Sequence, residues 1–159
     1  MIPYTSLQIA NWFIKKSLDS EFELHSNKLH KLVYLSQCWH LSLSNGFYLI
    51  SEDAQAWNYG PVFPDLYYNT LKYGSGVIKD YIKTIDPNKK FIDDEDEQTI
   101  KLLESIWETY RLTDIVELVS FTNMPGTPWY NKWESMQLEG LEKSAISKYD
   151  IMEFFNLII

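Results

Sequence analysis

Three histidines and a single cysteine are the side chains of this chain best suited to metal binding or nucleophilic catalysis. His30 and His40 lie ten residues apart on one predicted helix, a separation of about 15 Å that excludes a shared metal ion. Cys38 and His40 are two helical positions apart, so their side chains point about 200° apart and cannot act as nucleophile and base. We therefore expect no metal site and no catalytic site, and the protein is predicted not to be an enzyme.

Two further segments could bind ions, and neither has the pattern that such binding requires. The acidic run from Asp93 to Glu97 lacks the alternation, the central glycine and the closing glutamate of a calcium loop. Gly74, Ser75 and Gly76 are not followed by the lysine–serine pair of a phosphate-binding loop. We interpret the first segment as a solvated helix start and the second as a turn, and we expect no cofactor.

The composition indicates one globular domain. With 159 residues, 45% of them hydrophobic and 16% aromatic, the chain can bury one ordinary core. Neither an internal repeat nor a linker divides residues 1–159. The apolar segments are too short or too often interrupted for a signal peptide or a membrane span, and Cys38 has no partner for a disulfide. We expect a soluble protein of the reducing cytoplasm.

The net charge of -8 and the pI near 4.8 bear on the class of partner. An acidic chain repels a phosphate backbone, so direct nucleic-acid binding is not expected. The same charge suits a basic protein partner, although solubility alone would explain it equally well.

Apolar residues at helical spacing predict that one helix lies at the centre of the fold. Thr5 and Gln8 have the pattern of a capping box for a first helix, which ends near Asp19. Ser26 or Asn27 caps a second helix, whose apolar residues cover most of its circumference. A helix that is apolar nearly all round must be buried, so we place the second helix at the centre.

A narrow polar stripe interrupts the apolar circumference of this central helix. It contains His30, Lys31, Tyr34 and Gln37, and we expect the helix to reach solvent or a partner there. His40 falls on the buried side of the helix, where a hydrogen-bonded core histidine is the ordinary explanation.

The remaining segments predict a small antiparallel β element and further helices. Residues 47–57 have the pattern of short extended segments, and residues 77–92 that of a loose hairpin. Gly60 and Pro61 force a turn, and Pro64 suits the first turn of a third helix. Further helices are predicted after the acidic run, after Thr113, after Thr127 and from Ser147 to Leu157. The predicted fold class is mainly α, a compact single-domain helical fold around a central buried helix with a small antiparallel β element.

Aromatic residues gather around the proline-containing turns, namely Trp57, Tyr59, Tyr67, Tyr68 and Tyr73. Tyrosine and tryptophan are favoured at the centres of protein interfaces, and they also serve as core residues in a small domain. We assign most of them to the core, with Tyr34, Tyr59 and Tyr68 as the expected exceptions.

Several sequence blocks follow one another in order along the first half of the chain. Lys-Leu-x-Lys-Leu-x-Tyr-Leu-x-Gln-x-Trp-His begins at Lys28, Ala-Trp-x-Tyr-Gly-Pro-Val-x-Pro begins at Ala56, and a third block runs from Lys72 to Gly76. Together they resemble the Panacea domain, the SocA-type antitoxin domain that is also described as a GepA-like phage-associated protein. Weaker agreement continues to the C-terminal helix. The motif residues to which we assign a structural role are Leu32, Trp39, His40, Trp57, Gly60, Pro61, Pro64, Tyr67, Tyr73 and Gly74.

One position departs from the pattern of the family that the chain resembles. The family commonly has histidine after the threonine matched by Thr122, whereas this chain has Asn123. A role that needs a titrating or metal-binding ring at this position is therefore not carried over. The chain also lacks room for the extra DNA-binding domain of some relatives, so autoregulation by DNA binding is not expected.

The resemblance implies an antitoxin that binds a co-encoded toxin and blocks it by direct contact. Toxins of this family are diverse, and include proteins that modify tRNA or make alarmones. Two alternatives stay open, namely a proteolytic adaptor that delivers the toxin to a protease, and a prophage-encoded regulator that binds a host protein. We expect a basic partner encoded next door. The residues assigned to partner binding are His30, Lys31, Tyr34, Gln37, Tyr59 and Tyr68.

Overall fold

The structure, a computed structural model, describes residues 2–141 and 143–158, which form seven α-helices and three short strands. The helices are α1 Ser6–Asp19, α2 Ser26–Leu43, α3 Pro64–Thr70, α4 Glu97–Tyr110, α5 Ile115–Asn123, α6 Pro128–Glu139 and α7 Lys148–Ile158. The strands are β1 Gln55–Trp57, β2 Gly60–Val62 and β3 Ser144–Ala145. The fold is mainly α with a small antiparallel sheet, as predicted. No helix in the described ranges combines the length and the apolar character needed to cross a bilayer.

Helix α2 lies at the centre of the fold and packs against α1, α4, α5 and α7. Leu29, Leu32 and Leu35 on this helix are completely buried. Burial of a leucine side chain contributes about 1.5–3 kcal/mol, so these three side chains alone tie α2 firmly to its neighbours. The prediction of a central buried helix is confirmed.

Side-chain caps fix the starts of several helices. Thr5 accepts a hydrogen bond from the Gln8 N–H, and the Gln8 side-chain carbonyl accepts one from the Thr5 N–H, which confirms the predicted capping box. Asp96 caps α4 at the end of the acidic run, and Thr127 caps α6 directly before a proline at its first position. Both of these starts agree with the prediction.

Two helix starts differ by one residue from the prediction. The residue before α2 is His25, which makes no capping hydrogen bond, and Ser26 is already helical. Asp114, rather than Thr113, caps α5 by accepting the N–H of Val116 at 2.8 Å. A carboxylate also interacts favourably with the positive end of the helix dipole, which a threonine hydroxyl does less well.

The strands form one antiparallel sheet in the order β2-β1-β3. Trp57 pairs with Gly60, so Asn58 and Tyr59 form the turn of the β1–β2 hairpin. Pro61 lies on β2, which is an edge strand, where the missing proline N–H is tolerated. The predicted turn at Gly60 and Pro61 is therefore part of a strand, and only the last three residues of the segment 47–57 are strand.

Residues 77–92, all of them described, do not form the predicted hairpin. The buried side chain of Asn11 takes the place of a strand partner. Its amide donates to the carbonyls of Ile82 and Lys90 at 2.9 Å each, and its carbonyl accepts the Ile82 N–H at 2.8 Å. Because these side-chain bonds satisfy the backbone groups of Ile82 and Lys90, this part of the segment needs no strand partner. At its start, an isolated antiparallel bridge joins Val77 to His25.

Gln37 on α2 has the same role for the loop after this helix. It is 1% exposed, so the prediction that it reaches solvent was wrong. Its carbonyl accepts the N–H groups of Leu49 and Ile50 at 3.1 and 2.9 Å. Its amide donates to the carbonyls of Ile50 and Glu52 at 3.1 and 3.2 Å. A polar residue can face inward on a buried helix when a neighbouring loop supplies its partners, and periodicity alone does not reveal this.

Candidate partner-binding site

An aromatic ridge, made of Trp57, Tyr59, Tyr67 and Tyr68, lies on the β1–β2 hairpin and on α3. Tyr59 at the hairpin turn is 87% exposed and Tyr68 is 58% exposed, as predicted for these two side chains. The ring centroids lie 5.0 Å apart for Trp57 and Tyr67, and 5.4 Å apart for Tyr67 and Tyr68, in edge-to-face contact. Aromatic rings have few rotatable bonds, so the ridge offers a large contact area at low entropic cost.

Two open grooves flank the aromatic ridge. The α6 groove, of about 800 Å³, runs between the ridge and the C-terminal part of α6, where Trp133 lines it. The α2 groove, of about 690 Å³, runs between the ridge and the N-terminal part of α2, where His30 and Lys31 line it. Tyr59 and Tyr67 line both grooves. Together the grooves and the ridge form a continuous, largely apolar surface with a few polar groups.

Lys31 is a buried cation in the wall of the α2 groove. Its side chain is 7% exposed, and its Nζ lies 3.4 Å from Oδ1 of Asn123. Within the described ranges, Lys31 takes part in no salt bridge. Burial lowers the pKa of Lys31 to about 8. A buried lysine without a carboxylate partner is unfavourable for folding, and such residues concentrate at functional sites.

Asn123, the last residue of α5, connects Lys31 to the hairpin turn. Its Oδ1 accepts a hydrogen bond from Oγ1 of Thr122 at 2.8 Å, and its Nδ2 donates to the carbonyl of Tyr59 at 3.1 Å. These two bonds fix the orientation of the amide, so its oxygen faces Lys31. The asparagine thus supplies a neutral acceptor that holds the lysine without compensating its charge.

Gly60 allows the hairpin to approach Lys31 closely. Its φ of +135° lies in the region that other residues rarely adopt. A Cβ atom at this position would lie 2.9 Å from Nζ of Lys31 and 3.0 Å from the side-chain amide of Asn123. The backbone conformation therefore requires glycine, and a Cβ atom here would also displace the ends of the Lys31 and Asn123 side chains, so the motif glycine is part of the site rather than only of a turn.

The ring of His30 also lines the α2 groove and stays neutral at physiological pH. Its Nε2 donates to Oγ1 of Thr70 at 2.9 Å, since the Thr70 hydroxyl itself donates to the Leu66 carbonyl at 2.8 Å. Burial, and secondly the charge of Lys31, lower the pKa of His30 to about 4. Lys31 is therefore the cation among the side chains that line this groove.

Tyr34 is not part of this surface, which corrects a predicted exposure. The side chain is 2% exposed and belongs to the hydrophobic core. Its hydroxyl makes no regular hydrogen bond within the described residues, and its polar neighbour is the thiol of Cys38 one turn later on α2. The polar stripe therefore divides: His30 and Lys31 line the groove, whereas Tyr34 and Gln37 face the interior.

His40 is half-buried rather than a core residue, although it is hydrogen-bonded as predicted, with Nδ1 2.7 Å from the carbonyl of Phe47. It lines an open groove of about 450 Å³ together with Asp96. Burial lowers the pKa of His40. Burial alone would raise the pKa of Asp96, but hydrogen bonds from Tyr4 and Thr99 hold it below its usual value. The carboxylate therefore stays ionised and is occupied with capping α4.

The other motif residues occupy both the core and its rim. Leu32, Gly60 and Pro61 are buried, Pro64 is the first residue of α3, and Gly74, with φ of +57°, ends the turn that follows α3. Trp39 and Tyr73 are half-buried and pack against the core, whereas Trp57 is half-buried and Tyr67 is 37% exposed, which corrects the assignment of these last two rings to the core.

Three residues of the site were not among the predicted ones. Trp133 stacks on Trp129, four residues earlier on α6, with ring centroids 5.8 Å apart, and this spacing could have placed both rings on one helix face. Lys143 lies 4.0 Å from the centroid of the Trp57 ring, and no sequence signal connects the two. Asn123 was noted only as a departure from a motif.

Comparison with known proteins identifies one family. The family model described as "Antitoxin SocA-like, Panacea domain" matches residues 29–130. The match runs from the first turn of α2 to the first turn of α6, so it includes the aromatic ridge, Lys31 and Asn123. Neither a curated protein nor a solved structure matches the chain.

Proposed function

Because the chain belongs to the SocA-like antitoxin family with the Panacea domain, we propose that it neutralises a co-encoded protein toxin by direct binding. The observation that carries this proposal is the aromatic ridge between two open grooves. Tyrosine and tryptophan are enriched among the residues that dominate binding energy at protein interfaces. The toxin therefore contacts the ridge and enters the grooves, and its active or substrate-binding surface is covered.

The toxin is expected to be basic overall and encoded next to this protein. The net charge of -8 supports attraction between the two proteins before they touch. The association rate should then fall when salt is raised from about 0.05 M to 0.5 M, because the Debye length shortens over this range. Stopped-flow mixing at several salt concentrations measures the rate, and a salt-independent rate would remove the electrostatic part of the proposal.

We propose further that the protein acts by binding and not by catalysis. In support, each histidine is engaged in a hydrogen bond, and the Cys38 thiol is fully buried with a raised pKa. A thiol with a raised pKa is a poor nucleophile. A reducing cytoplasm suits a chain with this one cysteine.

The test is coexpression with each neighbouring reading frame. A neighbour that stops growth alone and is tolerated with the wild-type protein is the toxin. The double variant Tyr59→Ala/Tyr68→Ala should then bind that toxin at least about 100-fold more weakly and lose protection, because it removes two exposed rings from the centre of the interface. Tyr149→Ala is the matched control, since Tyr149 is 70% exposed on α7 and lines neither groove. Binding is measured by titration calorimetry.

Three outcomes separate this proposal from its alternatives. If no neighbour is toxic alone and rescued by this protein, the antitoxin proposal fails. If the toxin disappears with a shortened half-life instead of persisting in a stable complex, the protein is a proteolytic adaptor. If pull-down from the host yields a host protein and no toxin exists, the prophage-regulator alternative replaces it.

A further inference from the structure

The ammonium group of Lys31 uses only part of its hydrogen-bonding capacity within the described residues. An ammonium group donates three hydrogen bonds, and within the described residues one acceptor is present, Oδ1 of Asn123 at the long distance of 3.4 Å. That oxygen also accepts from Oγ1 of Thr122 at 2.8 Å, so it is shared. Two donor positions of a side chain that is 93% buried therefore have no acceptor among residues 2–141 and 143–158.

The surroundings of Lys31 are apolar or neutral. The α2 groove is lined by the rings of Tyr59 and Tyr67, by Pro61 and by the neutral His30, and no aspartate or glutamate is among its described lining residues. The α6 groove on the other side of the ridge has a lysine, Lys143, and its described lining residues, which do not include position 142, contain no aspartate or glutamate. Among the described lining residues of the α2 groove, none therefore supplies a carboxylate to Lys31.

We propose that the α2 groove is a carboxylate-binding site, in which an aspartate or glutamate side chain of the toxin pairs with Lys31. The inference rests on the proposed function, because the toxin supplies the carboxylate. A toxin that is basic overall still carries acidic residues, and one of them on an exposed turn or helix is enough. The two free donor positions of the ammonium suit the two oxygens of a carboxylate.

Burial makes this pairing selective. Groove walls formed by Tyr59, Tyr67 and Pro61 shield the ion pair from water, so the attraction is stronger than between exposed charges. A toxin segment with a neutral amide in place of the carboxylate would leave the ammonium uncompensated under the bound surface, which is strongly unfavourable. Lys31 therefore distinguishes partners by charge at one position, whereas the aromatic ridge supplies affinity that depends little on sequence.

The test uses two blocked peptides as probes of the isolated protein, acetyl-Leu-Glu-Leu-amide and acetyl-Leu-Gln-Leu-amide. NMR titration should show the glutamate peptide binding at least about tenfold more tightly than the glutamine peptide. Lys31→Met should reduce this preference to less than about twofold. Lys72→Met removes the same charge from an exposed lysine that lines neither groove, and it should leave the preference unchanged.

A second readout follows the Lys31 side chain itself. Its pKa, measured from the Cε chemical shift, should rise from about 8 when the glutamate peptide is bound, because a carboxylate stabilises the ammonium. A Lys31 that only supports the fold would show no such change. Equal affinity for the two peptides, no binding of the glutamate peptide, or a preference that survives in Lys31→Met would each overturn the carboxylate site.

Binding measurements with the toxin distinguish failure of the carboxylate site from failure of the antitoxin function. With the toxin in hand, Lys31→Met should weaken the complex at least about tenfold, and one Glu→Gln or Asp→Asn change in the toxin should weaken it equally, with no further loss in the double mutant. Unchanged toxin binding by Lys31→Met, with loss in Tyr59→Ala/Tyr68→Ala, rejects only the carboxylate site. Absence of any neutralised toxin rejects the proposed function, and the peptide titration still decides whether the site exists.

Discussion

Replacing Lys31 by methionine is expected to raise the free energy of unfolding at pH 7 by roughly 2–3 kcal/mol. The pKa of Lys31 falls from 10.5 to about 8 on folding, which disfavours the charged folded form by about 3 kcal/mol. Methionine has a similar length, has no charge to bury and adapts to irregular space. The hydrogen bond that it removes is 3.4 Å long, and its acceptor on Asn123 keeps the bond from Thr122.

The stabilising effect of Lys31→Met should depend on pH with a definite sign. Because the folded pKa lies below the unfolded one, the unfolded chain binds more protons between about pH 8 and pH 10.5. The wild type therefore gains stability relative to the variant as pH rises through this window, and the difference is largest below pH 8. Urea denaturation of both proteins at pH 7 and pH 10 measures the change.

The control for this prediction is Lys72→Met. Lys72 is exposed, so its loss should change the free energy of unfolding by less than about 0.5 kcal/mol at either pH. A Lys31→Met variant that is less stable than the wild type at pH 7 would contradict the prediction, because the ammonium would then support the fold. A more stable variant that no longer binds the toxin would show that stability is sacrificed at this position for function.

Replacing Gln37 by alanine is expected to lower the free energy of unfolding by about 3–4 kcal/mol. The side chain makes four hydrogen bonds to the backbone, three to the buried residues Leu49 and Ile50 and one to the half-buried Glu52. Alanine leaves these N–H and carbonyl groups without partners, and each unsatisfied buried group costs about 1–3 kcal/mol before relaxation. The midpoint of urea denaturation should fall accordingly.

Gln98→Ala is the matched control, because it makes the same chemical change at an exposed position on α4. This substitution should change the free energy of unfolding by less than about 0.5 kcal/mol. Hydrogen exchange adds a local readout, since the amides of Leu49 and Ile50 should lose protection in Gln37→Ala before the core of α2 does. A loss of stability below about 1 kcal/mol would mean that the loop is held by its own packing instead.

The helices were predictable because their signals are local. The capping box at Thr5, the acidic start of α4 and the Thr127 cap of α6 each lie within a few residues of the helix that they begin. The central position of α2 followed from the apolar residues around its circumference. Apolar periodicity does not show, however, which polar residues of a buried helix face inward, and the placement of Tyr34 and Gln37 was wrong for this reason.

The site itself depends on contacts that are distant in sequence. Lys31 and Asn123 are 92 residues apart, and Asn123 and Tyr59 are 64 residues apart. Their meeting is decided by how α5 and the hairpin pack on α2, which no local pattern records. The same applies to residues 77–92, where Asn11 replaces the predicted strand pairing through bonds to a segment more than 70 residues away.

In the β1–β2 hairpin, the backbone of Tyr59 is held by hydrogen bonds whereas its side chain is exposed to solvent. The Tyr59 backbone is fixed by Asn123 and by the pairing of Trp57 with Gly60, whereas its ring is 87% exposed and contributes little to the core. Mutations of the ring can therefore accumulate without unfolding the protein. Related proteins with this arrangement can evolve recognition of new partners by exchanging exposed residues of the aromatic ridge. The proposed carboxylate-binding site at Lys31 is retained during such exchanges.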